Sequence, residues 1–123
     1  MDLIVFIIII ITVGLNTVAQ IALKAGMTQI GTFDFTWQNL APIMLKVMVS
    51  PWIISGIIIY AGSVFTWLMV LSRTPVSIAY PISSLGYVFT AIAAYYLWGE
   101  DLTIVRLLGI AAILIAVYLV AKG

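Results

Sequence analysis

The chain has 123 residues, of which 65% are hydrophobic and 7% are charged, and its net charge is +1. A soluble domain has about a quarter of charged residues, so this chain cannot cover itself with a polar surface and must be largely surrounded by lipid. The small net charge excludes a nucleic-acid-binding protein. The lack of cysteine and histidine excludes disulfides, thiol nucleophiles, a Ser-His triad and most zinc or haem sites, so we expect no covalent catalysis, cofactor or metal.

The first apolar stretch covers residues 3–23 and ends at Lys24. It has the length of a membrane span, which takes about 20 helical residues. Asp2 stands where a signal peptide has its basic region, and no A-x-A cleavage site follows the apolar run. We therefore expect this span to be retained.

A polar stripe follows one face of this span, because its members recur every four residues. They are Thr12, Asn16, Gln20 and Lys24. One interpretation is that Asn16 and Gln20 hydrogen-bond to a neighbouring helix. The other is that the stripe lines a cavity that ends in the cation Lys24, although a lone lysine can also be a snorkelling anchor.

Residues 25–50 are too polar to span and too aromatic for a plain loop. Within them, residues 36–49 are predicted to form an amphipathic helix that lies in the membrane interface. The alternative is an ordered loop with a belt of aromatic residues.

Three further apolar stretches cover residues 51–71, 76–97 and 103–121. In lipid each must be a helix, because a helix satisfies its own backbone hydrogen bonds. The connections at residues 72–75 and 98–102 are short, so the last three spans should be antiparallel neighbours. The predicted fold is a single all-α membrane domain with four transmembrane helices and one interfacial helix.

Two of these spans carry polar faces. In the second, Tyr60, Ser63 and Trp67 lie at helical spacing, which suits either packing or a site, and Gly56 and Gly62 permit close approach of another helix. In the third, four polar residues share one face, namely Tyr80, Ser83, Ser84 and Tyr87.

The third span also has two helix-weakening residues. Pro81 frees a backbone carbonyl about one turn earlier, and Gly86 weakens the helix further. Such a break within a membrane is best tolerated beside a cavity or a partner helix. We therefore predict that the polar face of the third span looks inward, opposite the stripe of the first.

In the fourth span, small residues at Gly109, Ala112 and Ala116 predict a dimer interface, although packing inside the bundle would use the same pattern. The acidic residues all lie in terminal or connecting segments, so no span carries the carboxylate typical of a proton-coupled transporter. Glu100 and Arg106 flank the last turn, where they either pair or are solvated.

Basic residues do not define the orientation. Arg73 and Lys122 would lie on one side of the membrane, and Lys24, Lys46 and Arg106 on the other. The chain is compatible with either orientation, or with both, as in a dual-topology dimer.

The "R-x-P-x-x-I-A-Y" pattern of residues 73–80 and the "W-G-E-x-L" pattern of residues 98–102 resemble the small multidrug resistance branch of the drug/metabolite transporter superfamily. Tyr60 and Tyr80 match tyrosines that line the substrate cavity in that branch, and Lys24 matches a lysine that closes its first helix. The essential glutamate of the multidrug exporters is replaced by Asn16, which argues against proton-coupled export.

The stretch "IAYPISSLGYVFTAIAAYYLWGEDLT" is more similar to EamA-type half-transporters and to the paired small flippase subunits for aminoarabinose-phosphoundecaprenol. This resemblance implies a multi-pass protein of the bacterial inner membrane. The implied protein forms a homodimer or pairs with a sibling subunit, and it flips a polyprenyl-phosphate-linked sugar or similar anionic lipid.

The resemblance also implies roles for residues. The sugar head group would be bound by the polar side chains of the first three spans, namely Asn16, Gln20, Tyr60, Trp67, Tyr80, Ser83, Ser84 and Tyr87. Lys24, Arg73 and Arg106 are the candidates for the phosphate. Two rival functions remain: a small-molecule exporter without the membrane glutamate, and a non-transporting partner of a glycosyltransferase.

Overall fold

The computed structural model describes residues 3–32 and 34–123, so Asp2 and Phe33 lie outside the described residues. The helices are α1 (Leu3–Ile30), α2 (Trp37–Val49), α3 (Pro51–Leu71), α4 (Val76–Ser83), α5 (Leu85–Trp98) and α6 (Ile104–Lys122). Within the described part of the chain, four segments are long and apolar enough to cross a membrane: α1, α3, α4 with α5, and α6. The predicted all-α membrane fold with four spans is confirmed.

Helix α1 continues well beyond the predicted end of the first span. Lys24 does not end the helix, since lysine is a good helix former. The helix ends at Ile30, and Gly31 follows with a φ of 85° and donates its backbone N–H to the Met27 carbonyl at 2.9 Å. The end of the helix is therefore set by a glycine in the left-handed conformation, and Lys24 lies inside the helix.

The segment between the first two spans contains a helix, α2, as predicted. It begins after Thr36 and ends before Ser50, whose side chain caps α3 by accepting the Ile53 N–H. Helix α2 buries none of its residues in the protomer, and Trp37 is 89% exposed. This exposure suits a helix lying at the interface, and that location remains a prediction.

The third span is interrupted, and the interruption lies three residues after Pro81. Helix α4 ends at Ser83 and α5 begins at Leu85, with Ser84 between them. The hydroxyl of Ser83 donates to the Tyr80 carbonyl at 2.6 Å, and that of Ser84 donates to the Pro81 carbonyl. The Tyr80 and Pro81 carbonyls beside the break therefore have hydroxyl donors, and the Pro81 carbonyl also accepts the Ser84 backbone N–H at 3.2 Å.

The core lies at the end of the bundle that carries the termini. It joins the first half of α1, the end of α3, α4 and the second half of α6 through seven buried residues: Val5, Ile9, Val13, Val70, Ala79, Ile82 and Val117. Helix α1 packs along α3 and more loosely against α5, whereas α3 and the third span meet mainly near their connecting turn. Beyond that turn α3 and α5 separate, and the space between them has α1 as its back wall.

Close packing of α1 on α3 depends on Gly56. A Cβ atom there would lie 3.0 Å from the Ala19 carbonyl oxygen and 3.0 Å from Leu23 Cγ. A Cβ atom added at Gly62, in contrast, would have no neighbour within 4 Å. The expectation of close approach is therefore confirmed for Gly56. Gly62 lies on the exposed side of α3, where no other helix of the described protomer approaches it.

Candidate functional site

A cavity of about 970 Å³ occupies the space between α1, α3, α4 and α5. Eleven residues of the polar stripe, the polar faces and the helix break predicted from the sequence line it: Thr12, Asn16, Gln20, Lys24, Tyr60, Ser63, Trp67, Tyr80, Ser83, Gly86 and Tyr87. The polar stripe of α1 and the polar faces of the second and third spans therefore meet around one space. Their convergence was expected from helical spacing, and the structure brings them together.

The cavity is a groove along one side of the protomer. Its floor lies towards the core, where the Thr12 and Thr66 hydroxyls are hydrogen-bonded at 2.7 Å and the rings of Trp67 and Tyr80 meet edge to face at 5.0 Å. Its outer wall is incomplete, since Tyr80 and Tyr87 are 55% and 72% exposed. One protomer thus forms a polar groove that a neighbouring molecule or lipid must cover.

The side-chain amides of Asn16 and Gln20 face this groove. Within the described part of the chain, neither amide makes a hydrogen bond to another residue. An amide used to join two helices would have a partner on the neighbouring helix, as Thr12 has in Thr66. The geometry therefore favours the cavity-lining interpretation of the stripe, with donors and acceptors available to a bound molecule.

The serines have different positions. Ser63 and Ser83 line the groove and donate to the carbonyls of Tyr60 and Tyr80, each at 2.6 Å, so their oxygens remain acceptors for a ligand. Ser84 does not line the groove. Its hydroxyl donates to the Pro81 carbonyl at the helix break.

The three cationic candidates are separated by the fold. Lys24 lines the main groove, Arg106 lines a smaller cleft between α5 and α6, and Arg73 lines a third cavity beside the termini. The Arg106 Nη1 atom donates to the Asp101 carbonyl at 2.7 Å, and in the described residues it makes no ion pair with Glu100. Lys24 is thus the cation that lies with the polar side chains.

Sequence reasoning missed part of the groove. Glu100 lines it together with Lys24, so its rim has one charge of each sign. Helix α5 adds Thr90, Ala91, Ala94 and Trp98 to the lining. Continuing the helical face of Tyr87 by steps of three and four residues would have found these positions.

The sequence was compared with protein families and with curated proteins. A family model for EamA-like transporters matches residues 2–122. The chain belongs to the EamA-like transporter family. Together with the four spans, this membership makes the EamA-like chain a multi-pass protein of the bacterial inner membrane.

Several relatives of this EamA-like chain carry a functional name. It is 34% identical over 119 residues to a probable 4-amino-4-deoxy-L-arabinose-phosphoundecaprenol flippase subunit ArnF of Proteus mirabilis, covering 88% of this chain and 84% of the relative. It is 36% identical over 128 residues to an ArnF subunit from Shewanella sediminis, covering 89% and 81%. An ArnE subunit from Enterobacter sp. is 31% identical over 68 residues, covering 55% and 64%. No solved structure matches the chain.

Proposed function

We propose that this protein is one subunit of a flippase that moves a polyprenyl-phosphate-linked sugar between the leaflets of the inner membrane. The observation that carries the proposal is the groove, where side-chain amides and tyrosine hydroxyls that make no hydrogen bond within the described residues meet at membrane depth. A sugar head group presents many hydroxyls, each of which needs a hydrogen-bond partner once it leaves water. The names of the ArnF relatives support the same substrate class.

The dimensions and charges of the groove fit such a head group. Its volume of about 970 Å³ is at the upper end of the range for small-molecule sites. The phosphate would be met at the rim by Lys24, while the walls deeper in the membrane are uncharged. Because the walls are neutral and the charges lie at the rim, the protein can let a polar head group pass without burying a charged side chain of its own in the membrane.

The groove is incomplete in one protomer, so the functional unit contains a second subunit. The relatives are named as flippase subunits of two kinds, ArnE and ArnF. A heterodimer with a sibling subunit is therefore our first proposal, and a homodimer is the second. In either case the partner covers the open side of the groove near Tyr80 and Tyr87.

The direct test is transbilayer movement in proteoliposomes of a short-chain, fluorescent aminoarabinose-linked polyprenyl phosphate, with and without the sibling subunit. We expect loss of the inner-leaflet fluorescence, which a membrane-impermeant reductant does not reach in protein-free vesicles. The rate should not depend on a pH gradient, since no span carries a carboxylate. Movement equal to that in empty vesicles under both conditions would refute the proposal.

Lys24→Ala should weaken binding of this lipid about tenfold, which corresponds to one lost charge-assisted hydrogen bond. Lys46→Ala is the matched control, because Lys46 is an exposed lysine of α2 that does not line the groove. The loss should shrink as salt is added, because ions screen an exposed charge. Equal affinity of the two variants would remove Lys24 from the phosphate site.

A further inference from the structure

A second cavity of about 330 Å³ lies between α5 and α6. It is lined by Tyr87, Ala91, Ala94, Glu100, Asp101, Leu102, Arg106, Gly109, Ile110 and Ile113. Its first four residues also line the main groove. The two spaces therefore share one edge of α5, and we refer to the second as the α5–α6 cleft.

The α5–α6 cleft is polar at one end and apolar along its depth. Asp101 and Arg106 lie at the end near the connecting turn, and Ile110 and Ile113 lie further along α6. Arg106 and Ile113 are seven residues apart, a rise of about 10 Å along a helix. Arg106 uses one N–H group for the Asp101 carbonyl, which leaves donors of its guanidinium for an anion.

Small residues keep the cleft open. Ala91 and Ala94 of α5 lie across from Gly109 of α6, where a built Cβ atom would have no neighbour within 4 Å. Helix α6 is instead held to the bundle further along, where Val117 belongs to the core. The cleft is thus a space between α5 and the first half of α6, bounded by their connecting turn at one end and by the core at the other.

We propose that this cleft holds the first part of the isoprenoid chain of the transported lipid, with Arg106 as a second cation, beside Lys24 of the main groove, for the phosphate. The inference rests on the proposed function. An amphiphile whose head group lies in the main groove needs a path by which its chain reaches the bilayer, and the cleft begins at the shared edge of α5. Arg106 lies at the interface end, where Glu100 and Asp101 also belong to the lining, and the apolar lining lies deeper. This order, with a guanidinium followed by apolar side chains, matches a phosphate followed by a hydrocarbon chain.

A single-cysteine experiment tests this assignment, since the natural chain has no cysteine. Ile113→Cys places a bimane label in the cleft, and Ala111→Cys places it on an exposed part of α6 outside both cavities. Farnesyl phosphate with a terminal nitroxide, added to the full-length protein in nanodiscs, should quench the label at position 113 saturably. At position 111 quenching should rise linearly with lipid content.

Competitors define what the cleft recognises. Unlabelled farnesyl phosphate should displace the probe, whereas farnesol and inorganic phosphate should each do so at least tenfold less well, because the site needs both chain and charge.

Arg106→Gln should raise the half-saturating probe concentration about tenfold. Ile110→Trp should remove saturable quenching, because the larger side chain fills the cleft. Thermal unfolding of both variants checks that they fold, and displacement by inorganic phosphate alone would indicate an anion site without a chain site.

Native mass spectrometry of the same proteins separates the two proposals. Retained polyprenyl phosphate without saturable quenching at position 113 would overturn the cleft assignment and leave the proposed function standing. Absence of retained lipid and of quenching would overturn both. A disulfide between two Ile113→Cys chains in untreated membranes would show that a second copy fills the cleft, which also overturns the assignment.

Discussion

Thr12 and Thr17 are both buried threonines of α1, but their hydroxyls meet different surroundings. Thr12 is hydrogen-bonded to Thr66 of α3, whereas Thr17 Oγ1 has no hydrogen-bond partner in the described part of the chain. A buried hydroxyl without a partner loses its hydration and gains nothing in return. The same residue type therefore stabilises the protein at one position and not at the other.

Replacement of each threonine by valine, which has the same shape, tests this difference. Thr12→Val should lower the free energy of unfolding by about 0.6–1.7 kcal/mol, the range for a hydrogen bond between membrane helices. Thr17→Val should leave it unchanged or raise it by up to about 1 kcal/mol. Reversible unfolding in mixed micelles measures both, and a larger loss at Thr17 than at Thr12 would show that Thr17 has a partner in the membrane.

Ser83 and Ser84 were predicted to share one face of the third span, but only Ser83 lines the groove. Both residues belong to the polar pattern of the third span, and helical spacing alone puts them on one face with Tyr80. The break after Ser83 changes that geometry, so that Ser83 lines the groove and Ser84 closes the break. A proline in the sequence signals that a break is near, but not which serine will donate its hydroxyl to a backbone carbonyl beside the break.

At the scale of elements, the packing of α1 on α3 depends on a glycine at a position with little room for a side chain. The atoms that an added Cβ at Gly56 would meet include the Ala19 carbonyl oxygen, which belongs to a helix backbone and cannot move aside alone. These two helices hold the groove residues Gln20 and Tyr60 opposite each other. A change in their separation would therefore change the site as well as the stability.

Gly56→Ala should lower the free energy of unfolding by about 1–3 kcal/mol, as overpacking does in a close-packed core. Gly62→Ala is the matched control in the same helix, and it should be neutral or stabilising by up to about 1 kcal/mol because alanine favours the helix. Thermal unfolding in detergent compares them. Equal stability of the two variants would mean that α1 and α3 are further apart in the membrane than in this structure.

At the scale of the whole molecule, the protomer leaves much of α6 without a protein neighbour. Gly109, Ala112 and Ala116 are all exposed, and Val117 is the buried residue of this helix. The dimer interface predicted from these small residues is thus accessible, and it remains a prediction. It lies beside the α5–α6 cleft, with Gly109 at their common border.

Larger side chains on this face should weaken association of subunits without unfolding the protomer. We expect Ala112→Leu with Ala116→Leu to raise the monomer fraction at least tenfold, because leucine prevents the close backbone approach that small residues allow. Ala111→Leu on another part of α6 is the control. Single-molecule photobleaching in liposomes measures the subunit count, and an unchanged dimer fraction would place the interface elsewhere.

The sequence by itself determined the fold class and most of the groove. A chain with 7% charged residues and four apolar stretches of membrane length must form four helices. Lipid offers no hydrogen-bond partner to the backbone, so each span must satisfy its own N–H and C=O groups. Within a helix, spacing decides which side chains share a face, so the stripe of α1 and the face beginning at Tyr80 were predictable. The stretch at residues 78–103 added the resemblance to the EamA family.

Only the tertiary structure decided how these faces are combined. The separation of Lys24, Arg73 and Arg106 into three cavities depends on how the helices diverge from the turn at residues 72–75. The arrangement of the helices also decides that Glu100 lines the groove and that the α5–α6 cleft exists. The physical reason is that helical periodicity fixes directions around one axis, whereas the distance and angle between two axes follow from side chains in contact, such as Leu23 against Gly56.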